Sequence, residues 1–154
     1  MATTITAATL TVTITEAITL HDRDQGSENK LSIASVNEVM KRIVTCTASQ
    51  TTTIAEFRND VYEASGAIDI EDSKYIRLTN LDDTNSVEIA VVTVGTTYQV
   101  KLDAGHSHIL GSANDLMLAE ADTTPSFGTM ADVNSIRVNP GGNAVDVEIF
   151  VASA

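Results

Sequence analysis

Apolar and polar residues alternate with a period of two through most of this chain, the pattern of half-buried β-strands. The clearest run spans Thr9 to Leu20. There Leu10, Val12, Ile14, Ile18 and Leu20 share one face, and Thr9, Thr11, Thr13, Thr15 and Thr19 share the other. Glu16 interrupts the apolar face, which marks a bend, an edge or a subunit contact. Upstream, Ile5 is out of phase with Leu10, and the switch falls near Ala7-Ala8. Residues 1–8 therefore read as a separate arm or a bulged strand, and residues 9–154 as a single β-sandwich domain.

The rest of the chain continues the theme. His21 to Asn29 reads as a polar loop around Gly26, followed by strands over 30–36 and 38–47. A Thr-rich turn at Ser49 to Thr52 leads into a strand over Thr53 to Phe57, and Glu56 to Ser65 is the one stretch that reads as a short helix. Along Lys74 to Leu81, Ile76 and Leu78 oppose Tyr75 and Arg77, and Leu81 to Asn85 has the short polar side chains of a turn. Val87 to Val94 and Thr97 to Leu102 form a hairpin closed around Gly95, and Ala104-Gly105 turns the chain into a strand over His106 to Leu110. Leu116 to Ala119 reads as another short strand, and Asp122 to Met130 as a loop containing Pro125 and Gly128. Near the end, Val133 to Val138 and Ala144 to Ala152 flank the turn Asn139-Pro140-Gly141-Gly142-Asn143 and read as a hairpin. About nine to eleven short strands at such spacing predict an all-β fold, an antiparallel β-sandwich of jelly-roll type with one short helix. No βαβ rhythm, linker or internal repeat interrupts it.

Composition sharpens this reading. Aromatic residues make up only 4% of the chain and Trp is absent, so Val, Ile, Leu and Ala must supply the core, and the β-branched ones suit a pleated sheet. Nine basic against twenty-one acidic residues give a net charge of −12. Phosphate neutralisation needs the opposite sign, so no nucleic-acid partner is expected, nor docking on an anionic membrane. Cys46 is the single cysteine and sits in the β-run Ile43 to Thr47, which excludes an internal disulfide and makes it a small buried hydrophobe. No apolar run is long enough for a membrane span, and Met1 to Thr6 lacks the basic start and apolar stretch of a secretory signal. Synthesis in a cytoplasm is expected.

Candidate chemistry is sparse. His106-Ser107-His108 would place two imidazoles on one face of a strand, where both could reach one metal ion. His106 and His108 are thus weak metal candidates, with His21 the only further imidazole, and no carboxylate at diagnostic spacing completes the set. Asp22 to Glu28 is oxygen-rich, but Gly26 comes one residue early for an EF-hand and Ile33 occupies the twelfth position. Asp82-Asp83 reads as a solvated turn rather than a catalytic pair. No nucleophile elbow or phosphate-cradling loop occurs, and Gly141-Gly142 is hairpin chemistry. No catalytic or cofactor-binding residue is assigned, and no enzyme activity is expected.

The segment Lys74-Tyr75-Ile76-Arg77-Leu78-Thr79-Asn80-Leu81-Asp82-Asp83-Thr84-Asn85 resembles a group of small virion proteins of tailed bacteriophages, particularly phages of marine bacteria and cyanobacteria. The likeness continues through Tyr98 to Gly105, the ending Val147 to Ala154, and the early stretch from Asp24-Gln25-Gly26-Ser27 to Arg42-Ile43-Val44, about half of the chain in all. These are strand-and-turn patterns and include no functional motif, so no site residue is carried over. What the resemblance implies is a structural protein of a phage virion. A decoration or cement protein on the capsid exterior fits best, bound to the major capsid protein or other virion proteins as a homo-oligomer. A head–tail, neck or fibre component is the alternative within that class. From another class, a carbohydrate-binding β-sandwich module is disfavoured by the missing Trp, since sugar platforms rely on aromatic faces. A metal-dependent jelly-roll enzyme would need more than His106, His108 and His21.

Overall fold

In the computed structural model, which describes residues 4–121 and 123–154, alternation becomes thirteen strands. They are β1 (Ala8–Glu16), β2 (Thr19–Leu20), β3 (Arg23–Asp24), β4 (Ser27–Val36), β5 (Glu38–Cys46), β6 (Thr52–Arg58), β7 (Ile68–Asp69), β8 (Ser73–Asn80), β9 (Val87–Thr93), β10 (Thr97–Leu102), β11 (Ser107–Leu110), β12 (Val133–Asn139) and β13 (Val145–Ser153). From β5 onward they pair into two sheets, ordered β11-β8-β13-β5 and β10-β9-β12-β6-β7. All of these pairings are antiparallel except the two-residue match of β6 with β7. Strands β5, β6 and β8 to β13 alternate between the sheets, with one hairpin at β9–β10, in the strand order of a jelly roll. The sandwich expected from sequence is present, and its strand order is added by the structure.

The core lies between the two sheets. Ile76 and Leu78 of β8 and Val145, Val147, Ile149 and Val151 of β13 face Phe57 of β6, Val87, Ile89 and Val91 of β9, and Ile136 and Val138 of β12, all buried. Branched aliphatics make up nearly all of it, as the shortage of aromatics requires. Cys46 is fully buried in the same cluster, and burial pushes its thiol pKa up, as a packed small hydrophobe should behave.

Strands β1 and β4 form a separate two-stranded ribbon, with Leu10 opposite Ile33, Val12 opposite Leu31 and Glu16 opposite Ser27. The break in register lies between Ala8 and Leu10, where β4 carries an extra residue and Ser35 takes a positive φ of 62°. Residues 1–3 of the expected arm lie outside the described residues; Thr4 to Ala7 are exposed, and Ala8 already begins β1.

Four local expectations are corrected. The closing hairpin is not one: β12 enters its sheet between β9 and β6 and β13 enters the opposite sheet between β8 and β5, so the turn from Asn139 to Asn143 carries the chain across the sandwich. The loop assigned to His21–Asn29 is a tight hairpin followed by strand: His21 and Asp22 both have positive φ, which suits a two-residue turn between β2 and β3, and β4 starts at Ser27. Ser27, Glu28 and Asn29 show no apolar signal because the ribbon there is exposed on both faces. Gly26 is required at this junction, since a Cβ would lie 2.4 Å from the Glu16 carbonyl oxygen. The helix over Glu56–Ser65 is replaced by the end of β6 and a single 3-10 turn at Val61–Glu63, because Phe57 is drawn into the core and Glu56 pairs with Ser135. Leu116–Ala119 is no strand but a single bridge, Met117 to Ala131.

Candidate assembly surface

The ribbon crosses the outer face of the β11-β8-β13-β5 sheet and anchors there at its base. Leu10, Val12 and Ile33 pack on Val36, Tyr75, Phe150 and Ala152. Tyr75 meets Phe150 edge to face, with centroids 6.0 Å apart, and the Arg77 guanidinium stands 6.0 Å from the centre of the Phe150 ring. Beyond this anchor the apolar stripe of the ribbon runs on without cover. Ile14 is 43% exposed, Leu31 49%, Ile18 54% and Leu20 56%. A groove of roughly 360 Å³ opens between ribbon and sheet, lined among others by Val12, Ile14, Tyr75, Arg77, Ile109 and Phe150. Glu16, which breaks the stripe, ends β1 and accepts a hydrogen bond from the Ser27 hydroxyl at 2.5 Å.

A charged network lies beside the aromatic pair. Arg77 donates to Glu148 at 2.6 Å and to the Thr79 hydroxyl at 2.5 Å, Thr79 is hydrogen-bonded to Ser107 at 2.8 Å, and Lys41 approaches Glu148 to 3.3 Å. Burial alone would raise the Glu148 pKa, but the hydrogen bonds from Arg77 and then Lys41 outweigh it and hold the carboxyl below its ordinary value. This ties all four strands of the outer face together, β5 through Lys41, β8 through Arg77 and Thr79, β11 through Ser107 and β13 through Glu148, as a firm floor for the ribbon.

The residues singled out by chemistry do not converge. His106 stands exposed just before β11, near Asp103, whereas His108 points into the sandwich edge and shares a 3.0 Å hydrogen bond with the Tyr98 hydroxyl of β10. Burial lowers the His108 pKa and raises that of Tyr98, so the pair is neutral and joins the two sheets along their β10–β11 side. His21 sits in the turn between β2 and β3. Among the described residues, no group of three or more His, Cys, Asp or Glu side chains is placed to hold a metal ion. Asp24 in the former calcium-like stretch accepts from the Gly26 N–H at 2.8 Å. Asp82 accepts from the backbone N–H groups of Asn85 at 2.6 Å and Thr84 at 2.8 Å, bonds that lower its pKa and make it the organiser of its own turn.

Sequence reasoning missed Asn80. Fully buried at the end of β8, it donates from its side chain to the carbonyls of Asn85 at 2.8 Å and Leu102 at 3.1 Å and accepts from the Asp82 N–H at 3.0 Å. Its backbone N–H and carbonyl also bond His106 and Gly105. One side chain thus fastens the turn after β8 to the end of β10. An asparagine beside a polar turn carries no sequence signal that separates this role from solvation.

No family model matches the chain, and no curated protein matches it. Among solved structures it is similar to a chain described under Bacillus endospore appendages forming a novel family of disulfide-linked pili, with 11% identity and a TM-score of 0.40, over 75% of this chain and 88% of that one. No helix among the described residues is long and apolar enough to cross a membrane.

Proposed function

We propose that this chain is a structural protein of a tailed-phage particle that works by docking onto other protein, as a decoration protein on the capsid exterior. The observation that carries the docking role is the ribbon: an apolar stripe held on a firm sheet face and left uncovered from Ile14 to Leu20. Uncovered aliphatic side chains in a row gain most when a protein surface removes them from water. The net charge of −12 supports an outward position, away from packaged nucleic acid, and the resemblance centred on Lys74 to Asn85 supports the virion. Many shallow contacts repeated over a shell would hold the protein through avidity even where each is weak.

Purified protein incubated with particles that lack it is expected to bind at defined lattice positions and raise their resistance to heat. Cryo-electron microscopy that places it only at the neck or tail would overturn the decoration role and leave the virion role standing; its absence from all purified particles would overturn both. A second reading, a carbohydrate-binding module, is favoured by one feature: a shallow groove of roughly 280 Å³ on the outer face of the other sheet, lined by Glu88, Gln99, Arg137 and Asn139. Glycan-array binding that is lost in Arg137→Ala would support it over the first.

A further inference from the structure

We infer that β5 is a pairing edge and that its partner is a second copy of this chain, the two β5 strands running antiparallel across a two-fold axis so that their four-stranded sheets continue as one. The inference concerns how copies pair and does not depend on the particle they serve.

Strand β5 ends its sheet, with β13 on one side and, among the described residues, no strand on the other. It is the longest outer strand of the sandwich, nine residues against six in β10, four in β11 and two in β7. Its register with β13 runs unbroken from Glu38 opposite Ser153 to Cys46 opposite Val145, with no bulge, glycine or proline. The backbone N–H and C=O groups on its free side therefore form a regular row, the arrangement to which another strand adds most readily. Sheets commonly blunt such an edge by standing a lysine over it. Here Lys41 is instead turned onto its own sheet, 3.3 Å from Glu148, and Val39 and Ile43 on either side of it are 52% and 57% exposed.

Charge then selects the partner and the register. Glu38 and Arg42 are both exposed, have no ion-pair partner among the described residues, and lie on the same face four residues apart. Directly opposed residues of an antiparallel pair share a face, so an axis perpendicular to the sheet must pass beside one residue and its own copy. Centred on Lys41 or on Arg42, the pairing would oppose like charges. Centred on Met40, it sets Glu38 opposite the partner's Arg42, and Arg42 opposite the partner's Glu38. An unrelated acidic surface would satisfy Arg42 but leave Glu38 facing its own sign; a second copy satisfies both.

Sedimentation equilibrium over a range of concentrations is expected to show a monomer–dimer equilibrium. Arg42→Glu and Glu38→Arg should each weaken it on the order of tenfold, since each turns two attractive cross-strand pairs into repulsive ones. The double exchange Glu38→Arg with Arg42→Glu should restore it. The register is read separately: opposed Cα atoms in an antiparallel pair stand about 4.5–5.5 Å apart, within disulfide reach. Met40→Cys should therefore cross-link to its own copy under mild oxidation while Val44→Cys does not, with native Cys46 buried and out of reach. A protein that stays monomeric throughout, a dimer indifferent to the charge reversals, or cross-linking at Val44 in place of Met40 would each overturn the inference.

Discussion

The ribbon of β1 and β4 and the strand β13 carry nearly the same pattern and meet opposite fates. Leu10, Val12 and Ile14 alternate with threonines as regularly as Val145, Val147, Ile149 and Val151 alternate with Asp146, Glu148 and Phe150. Yet all four apolar residues of β13 are buried, while on β1 Leu10 and Val12 are half covered and Ile14 lies open. Neighbours make the difference. Strand β13 is central, paired with both β8 and β5 and covered by the second sheet, whereas β1 has one partner strand and rests on the outer face of the sheet only at Leu10 and Val12. Alternation assigns side chains to faces; it does not say which face finds another sheet. An apolar face without an intramolecular partner is the physical content of the docking role proposed above.

The comparison is broken most sharply by truncating each side of it. Phe57→Ala, in the closed core, is expected to cost about 3–5 kcal/mol of unfolding free energy in a denaturant titration. Ile14→Ala on the ribbon should stay within about 0.5 kcal/mol. Equal losses would mean that the ribbon belongs to the same cooperative core. Between these falls Asn80→Ala, which leaves the carbonyls of Asn85 and Leu102 without their buried donor and should cost about 1–3 kcal/mol. A value near zero would show that water replaces the amide and that the turn does not need it.

A gentler contrast lies in pH. His108 in the sandwich edge has its pKa lowered by burial from the ordinary 6.5, so the unfolded chain takes up that proton first, and stability should decline as pH falls from about 6.5 through the folded value. Glu148 is held below its ordinary 4.5; its contribution is full above that value and disappears as pH falls through the lower folded one. His108→Gln should flatten the upper window of a stability–pH profile and leave the lower one in place, while Glu148→Gln should do the reverse. A profile in which His108→Gln changes only the lower window would rule out this division of roles.

The hairpin of β9 with β10 was the most legible part of the chain. The equally strong turn signal between β12 and β13 instead marks a crossing from one sheet to the other, which alternation and turn residues alone do not distinguish from a hairpin. The all-β sandwich class followed from many short strands without helical connections; the order of the strands did not. What stayed hidden had physical reasons. The start of β4 is polar on both faces, so no periodicity marks it, and β2 and β3 are too short to show any. Around Glu56 and Arg58, charges flank a single deeply buried Phe57, a spacing that also fits a helix; pairing with β12 decides for strand. The sequence placed His106 and His108 together, but the turn bonded from His106 N–H to Asp103 holds the first outside the strand. Uncovered apolar positions, which carry the candidate surface, depend on the absence of a neighbour, and a linear pattern contains no trace of that.

The smallest expected effect on stability tests the surface most directly. Ile18 and Leu20 lie past Glu16, where the ribbon has left its anchor, and each is more than half exposed. Serine at both positions removes little burial from the folded monomer, so the unfolding free energy should shift by no more than about 0.5 kcal/mol per site. Ser is a weaker strand former than Ile, but β2 is only two residues long, and its turn is set by the positive φ of His21 and Asp22, which the exchange leaves untouched. Particle binding should respond quite differently, because each lost aliphatic side chain gives up burial that only the bound state contains, about 1.5–3 kcal/mol if fully covered. Repeated over a lattice, that loss should release the protein from particles at concentrations where the unaltered chain remains attached. Unchanged particle binding by the folded double variant would show that the open stripe is not the docking surface.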